Sequence, residues 1–267
     1  MVPEYPQEGE VRHQMPKKFS IQRRGFLKIL AVGGASALAA LARQQINASS
    51  PSDSSSHSWA MVIDQATCTG CGYCTLACQA HNDAPPEIQW NRVIETGKIG
   101  SEPVYLARPC MHCDHAPCVS VCPVKASYKR PDGIVMMDYD RCIGCRYCQL
   151  ACPYGARAFN WIEFTADNPA VPEWGVPEIP RRPRGVAEKC SFCYHRIDRG
   201  LSLGLKPGID SDATPACVVA CPVQARVFGD LNDPESNVNQ LLATDSYFRL
   251  REDMGIDPRV YYLPARL

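Results

Sequence analysis

The sequence predicts an α+β fold, two small modules joined by long irregular loops, and three observations predict it. Sixteen cysteines fall into four groups of four with none left over, at 68/71/74/78, 110/113/118/122, 142/145/148/152 and 190/193/217/221. Short apolar runs flank the groups, so strand, cysteine-bearing loop and strand recur as an internal pseudo-repeat. Between these units proline and glycine punctuate the chain.

The third group says what the cysteines are for. Cys142 to Pro153 reads C-I-G-C-R-Y-C-Q-L-A-C-P. Cys142, Cys145 and Cys148, two residues apart, can wrap a loop around three corners of a small iron–sulfur cube. Cys152 lies one helical turn beyond Cys148, so its sulfur points along a short helix toward a different cube. This is the bacterial ferredoxin ligand run, whose last cysteine serves the other cluster of a pair. The expected modules are therefore ferredoxin-like, each holding two [4Fe-4S] clusters, four in all. Gly144 supplies a residue free to take positive φ, and Pro153, lacking an N–H, turns the chain away. Disulfides would not require repeated spacing in fours, and structural zinc uses two close pairs rather than three cysteines at successive two-residue gaps.

In chain order, residues 1–19 are polar. Ser20-Ile-Gln-Arg23-Arg24-Gly-Phe-Leu-Lys28 then precedes an apolar run, Ile29 to Ala42. It resembles a twin-arginine export signal, with Gln22 where a hydroxyl residue is usual. Fourteen residues are short for a bilayer span, which needs about 20. The signal and its n-region occupy 1–48 and a Ser/Asp-rich linker 49–58. Twin-arginine export carries folded proteins, so the mature chain is expected at the periplasmic or exoplasmic face, peripheral, without a membrane span of its own.

Trp59–Asp64 is expected as a strand feeding the first group, which Gln79 and not proline follows. Arg92–Glu95 with Thr96-Gly97 predicts a strand and turn, and Val104–Ala107 leads to the second group. Ala126–Lys129, Pro131-Asp-Gly133 and Ile134–Asp138 predict a hairpin, and Ala156–Phe164 a strand. Residues 165–188, with Pro169, Pro172, Pro177, Pro180 and Pro183 and the arginines 181, 182 and 184, read as an extended surface loop, either linker or docking arm. The fourth group splits around 23 residues between Cys193 and Cys217. Ala225–Phe228 is a strand, Asn237–Leu242 a helix, and Tyr261 and Tyr262 cover the core. The expected organisation is an outer module (59–105 and 186–230), an inner module (106–165), a proline-rich loop (166–185) and a tail (231–267).

Lys+Arg and Asp+Glu balance at 28 each, but residues 1–42 carry six basic and three acidic residues, leaving 22 basic and 25 acidic afterwards. Each oxidised cluster with four thiolates adds roughly two negative charges, so the loaded chain is acidic and no nucleic-acid partner is expected. His112, His115 and His195 lie in or beside the groups, but all four groups are complete in cysteine, so they read as hydrogen-bonding or surface histidines. Lys125, Arg146, Arg157 and Lys189 lie near ligands in sequence; each is either a charge that raises a cluster's potential or an ordinary salt-bridging side chain. No phosphate loop, nicotinamide or flavin fingerprint or nucleophile signature is present, so no catalytic residue is expected.

The four groups, with Glu188-Lys-Cys-Ser-Phe-Cys-Tyr-His-Arg196, give residues 59–230 a resemblance to the four-cluster iron–sulfur subunit of the dimethyl sulfoxide reductase superfamily, such as that of polysulfide and tetrathionate reductases. The motifs are specific for the class and poorly specific for the substrate. The resemblance implies an electron-transfer subunit, not an enzyme in itself, between a molybdopterin catalytic subunit and an integral membrane, quinone-reactive subunit in anaerobic sulfur-compound respiration. Similar chains occur in sulfite-reduction-associated membrane complexes without a molybdenum partner. A free polyferredoxin and a zinc-stabilised scaffold are readings of other classes.

Spacing bears on how the groups pair. Only 19 residues separate Cys122 from Cys142, against 31 between the first two groups and 37 between the last two. A nested order pairs second with third and first with fourth, as the resemblance also implies; sequential pairing is the competing arrangement. The nested ligand sets are Cys68, Cys71, Cys74 with Cys221; Cys190, Cys193, Cys217 with Cys78; Cys110, Cys113, Cys118 with Cys152; and Cys142, Cys145, Cys148 with Cys122.

Overall fold

β1 (Trp59–Asp64) is the strand on which the two ends of the folded chain meet, in a computed structural model that describes residues 55–244 and 246–266. The expected export signal and most of the linker lie outside the described residues. β1 pairs antiparallel with β8 (Arg226–Asp230), Met61 opposite Phe228, and parallel with β9 (Val260–Leu263), Met61 opposite Val260. Side chains alternate across a strand, which explains the unbroken apolar run of β1. Trp59, Met61 and Ile63 enter the main core, while Ala60 and Val62 pack with Val238 and Leu263 on the other face.

Residues 231–267 are therefore no appended tail, because they supply a strand of the central sheet. Tyr262 is fully buried and its hydroxyl donates to the Ala107 carbonyl at 3.1 Å. The helix Asn237–Thr244 falls where the sequence places one, and it packs on β8 and β1.

Among the described residues three two-stranded ladders complete the sheets. β2 (Arg92–Ile99) and β3 (Glu102–Arg108) form a long hairpin with a bulge between Glu95 and Gly97. The turn expected at Thr96-Gly97 lies instead at Gly100-Ser101; a glycine in a strand marks a bulge as readily as a turn. β4 (Ser127–Lys129) and β5 (Val135–Met137) form the predicted hairpin around Pro131-Asp-Gly133. β6 (Ala158–Phe159) pairs with β7 (Ala187–Glu188) over two residues each, so the strand expected across 156–164 contracts to its centre. Its partner is only two residues long, and Trp161 and Ile162 point outward.

The helices show what the proline after a group does. Those ending the second, third and fourth groups, Pro117–Ser120, Tyr147–Leu150 and Ala216–Val219, have four residues each. Each stops before a Cys-Pro pair, as expected where a proline cannot extend a helix and restrains the residue before it. The first group has Gln79 in that place, and its helix Tyr73–His81 continues for nine residues. Helix Tyr194–Ser202 fills the split in the fourth group.

Segment 165–188 is tied down along its length. Arg181 forms an ion pair with Asp83 at 2.8 Å, and buried Arg182 pairs with buried Glu188 at 3.1 Å. Glu178 meets His81, Arg196 and Arg199, joining the segment to helices Tyr73–His81 and Tyr194–Ser202.

Candidate metal centres

The four cysteine loops share one backbone requirement. The residue immediately before the second cysteine has positive φ in every loop: Gly70 at 74°, His112 at 45°, Gly144 at 69° and Phe192 at 54°. Glycine does this without strain. At Gly144 a Cβ would stand 2.4 Å from the Gly185 carbonyl oxygen, and at Gly70 it would run into the Tyr105 ring. The second and fourth loops force a bulky residue into the same conformation, which is uncommon outside glycine. Both rings are buried and stack on each other with centroids 3.8 Å apart, so these two loops are joined face to face. Nothing in the residue types His112 and Phe192 announces this; only alignment of the four loops would.

The loops and helices bring distant cysteines together. Cys68, Cys71, Cys74 and Cys221 line one hollow, and Cys110, Cys113, Cys118 and Cys152 line another. The Asn82 amide lies 3.8 Å from the Cys78 sulfur and 3.7 Å from that of Cys193, and Cys190, Cys217 and Cys74 lie close enough to raise the Cys78 thiol further. Burial raises the Cys148 thiol, Arg157 opposes the rise, and Cys118 and Cys142 lie close enough to add to it. Cys122 accepts the Ser127 N–H at 3.4 Å. Cys71 and Cys145 are exposed, and none of the sixteen cysteines forms a disulfide.

Other donors are aimed at sulfur. Asn91 donates to Cys74 at 3.2 Å, Arg157 to Cys118 at 3.0 Å, and Arg226 to Cys217 at 3.6 Å; the Phe192 N–H reaches Cys190 at 3.5 Å. Hydrogen bonds to sulfur and buried charge are the levers by which a protein tunes such a cluster. Burial pushes the Cys190 thiol up to about 12, assisted by Cys110, and lifts Cys78 well above its ordinary value, assisted by Cys193, Cys190 and Cys217. Such thiols lose their protons to a cationic metal centre that repays the lost hydration. Among the described residues no three His, Cys, Asp or Glu side chains converge as for a single ion. Soft sulfur donors lining wider hollows fit a multi-iron cube better than one zinc, whose four sulfurs would each lie about 2.3 Å from the metal.

The basic residues near ligands in sequence separate into two kinds. Arg157 is buried and also holds Ser127 Oγ at 2.5 Å; burial opposes its charge, but Cys118, Cys148 and Cys110 hold it above its ordinary value. Lys189 is buried and donates to the Cys190 carbonyl at 2.7 Å and to the Val135 carbonyl; burial lowers it while Cys110 pulls the other way. Arg146 instead lies over the Trp161 ring at 4.4 Å, and Lys125 is exposed. Arg226, fully enclosed beside Cys217 and Cys74, is the residue sequence reading passed over. The signal was there: Cys221-Pro-Val-Gln-Ala-Arg226 repeats Cys152-Pro-Tyr-Gly-Ala-Arg157.

The histidines behave as side chains rather than ligands. His112 accepts the Val135 N–H on Nδ1 at 3.0 Å, and burial holds it well below its ordinary value, hence neutral. His115 is exposed, 3.7 Å from Asp257, and His195 lies in the Glu178 cluster.

Comparison with known proteins follows the same lines. A 4Fe-4S dicluster domain matches residues 102–168, which hold the second and third groups, and a 4Fe-4S binding domain matches residues 59–80. A Halobacterium salinarum protein named as a dimethyl sulfoxide reductase iron–sulfur subunit is 44% identical over 226 residues, 78% of this chain and 80% of its own length. The menaquinone reductase iron–sulfur cluster-binding subunit of Nitratidesulfovibrio vulgaris is 45% identical over 228 residues, 78% of this chain and 89% of its own. A polysulfide reductase chain of Wolinella succinogenes is 34% identical over 216 residues, 78% of this chain and 95% of its own. Cysteine groups, fold and relatives agree: this chain belongs to the iron–sulfur, electron-transfer subunits of the dimethyl sulfoxide reductase superfamily.

Proposed function

We propose that the chain carries four [4Fe-4S] clusters in two ferredoxin-like modules. It relays electrons between a quinone-reactive integral membrane subunit and a molybdopterin catalytic subunit, in anaerobic respiration of sulfur compounds. The observation that carries this reading is the meeting of thiols far apart in sequence: Cys221 with Cys68, Cys71 and Cys74, and Cys152 with Cys110, Cys113 and Cys118. It supports the nested ligand sets, Cys78 completing Cys190, Cys193 and Cys217, and Cys122 completing Cys142, Cys145 and Cys148. When bound, a cube of this type takes up and gives back single electrons.

The chain's own residues do the rest. They withdraw most of the thiols from water, aim Asn82, Asn91, Arg157 and Arg226 at sulfur, and leave Cys71 and Cys145 at the surface. Near Cys145 in sequence, Ile143, Tyr147 and Leu150 are exposed apolar side chains, suited to a partner's surface. Among the described residues no helix is long and apolar enough to cross a membrane. With the Arg23-Arg24 signal, this supports a peripheral subunit exported to the periplasmic or exoplasmic face and held there by its partner.

A second reading has its own support. The relative named for menaquinone reductase matches at 45%, as well as the one named for dimethyl sulfoxide reductase does at 44%. That name points to a quinone-linked complex, and a membrane complex without a molybdenum partner, such as those associated with sulfite reduction, stands as the alternative. Either assembly requires the same content, about sixteen iron and sixteen acid-labile sulfide per chain, four of each per cube. Iron and sulfide analysis of the purified chain tests this, together with turnover assays on sulfur compounds with a chemical reductant. About eight of each, or turnover by the chain alone, overturns the reading.

A further inference from the structure

Two arginines occupy the same place in two halves of the structure. Each stands five residues after the last cysteine of a Cys-Pro group: Cys152-Pro-Tyr-Gly-Ala-Arg157 and Cys221-Pro-Val-Gln-Ala-Arg226. Both are buried, at 3% and 3% exposure. Arg157 reaches the Cys118 sulfur at 3.0 Å, and the helices that carry Cys118 and Cys148 pack on each other, which brings its charge to bear on Cys148 as well. Arg226 lies 3.6 Å from the Cys217 sulfur and 2.5 Å from Asn91 Oδ1, and the amide of Asn91 donates to Cys74 at 3.2 Å. Each guanidinium thus touches the third cysteine of one group and addresses the third cysteine of another.

The remaining Cys-Pro group tests the pattern within the molecule. Cys122-Pro-Val-Lys-Ala-Ser127 has serine where the other two have arginine. Ser127 Oγ is bonded to Arg157 Nη2 at 2.5 Å, so one small polar side chain receives the charge from the opposite loop. A second guanidinium there would meet the first in a buried space. The first group has no proline, and Asn91 plays the part of Ser127 beside Arg226. The arrangement is one arginine and one neutral hydrogen-bonding partner for each pair of groups. Arginine is the side chain that keeps its charge under burial, and neither residue has a carboxylate among its hydrogen-bond partners.

We propose that Arg157 and Arg226 are fixed charges shared between the two cubes of each pair, setting both potentials together: Arg157 for the cubes of Cys118 and Cys148, Arg226 for those of Cys217 and Cys74. This rests on the nested ligand sets above. Adding an electron to either cube increases its negative charge, and a buried cation facing both lowers that cost at each. Removing the charge shifts two potentials downward at once and leaves the other two in place.

The test is redox titration, followed by electron paramagnetic resonance, of the full chain in its assembled complex. Arg157→Gln is expected to lower the reduced-to-oxidised ratio of two cubes about tenfold at a fixed poise, a shift of about 59 mV for one electron. Arg157→Lys is expected to stay near the parent, and Arg226→Gln to move the other two cubes. Cys118→Ser and Cys148→Ser identify the signals. If those two serine variants damage the same cube, the ligand sets are wrong, whatever the arginine does. If they damage different cubes and Arg157→Gln moves neither or only one, the shared-charge proposal is overturned. Loss of iron in Arg157→Gln that Arg157→Lys does not restore also overturns it, making the arginine a structural clamp; retention of all iron with a paired shift supports it.

Discussion

Gly144 carries a constraint that cysteine spacing alone does not express. Its φ of 69° suits glycine, and the Gly185 carbonyl fills the space a Cβ would need. Gly144→Ala is expected to cost about 3 kcal/mol, the upper end for a strained backbone position. Gly204→Ala, with φ of 75° but open space around it, should cost only about 1 kcal/mol. Denaturant titration of both variants checks this, and equal costs would mean that the Gly185 contact is unimportant. At this scale the cysteine groups were legible because their repeated spacing sets them apart from the rest of the chain. Gly144 was legible because glycine is the residue type that marks positive φ. His112 and Phe192, at the equivalent position, were not: their side chains are set by packing against each other across the structure. Arg226 was missed because a lone arginine carries no signal until its loop is laid over that of Arg157.

Elements were legible where local rules govern them. The hairpin around Pro131-Asp-Gly133, strand β1 and the short helices ended by Cys-Pro follow from turn chemistry, apolar run and proline. Segment 165–188 looked loose because its main ties to the rest of the fold are long-range, Arg181 to Asp83 and Glu178 to His81 lying 98 and 97 residues apart. Glu178 is the joint between three elements. Burial raises its carboxyl, but Arg196, His81 and Arg199 outweigh this and hold it below the ordinary carboxylate range. Its folded value lies below the unfolded one, so its contribution is complete above about pH 4.5 and disappears as pH falls through the folded value. Glu178→Gln is expected to cost about 2 kcal/mol near pH 7, because it leaves the buried Arg196 guanidinium without its carboxylate partner. The gap to the parent should narrow below about pH 4.5, and unfolding titrations at pH 7, 5 and 4 measure it. A gap that widens with acid would contradict the assigned role.

At the scale of the whole molecule, the parallel pairing of β9 with β1 was not legible, because Val260–Leu263 reads equally as a strand or as an apolar cover. The sheet draws residues on both sides of the inner groups into one structure, which is what the nested pairing requires. On the proposed reading the Arg23-Arg24 segment directs export of the loaded chain in folded form, so lysine at both positions is expected to leave it in the cytoplasm. Fractionation of the variant reads this directly, and unchanged export would remove the assigned location. The central claim is that the outer groups complete each other across the chain. Electron paramagnetic resonance of Cys78→Ser, set beside Cys193→Ser and Cys113→Ser as references, tests it most directly. The account predicts that Cys78→Ser and Cys193→Ser perturb the same cube; a Cys78→Ser spectrum that matches Cys113→Ser would contradict it.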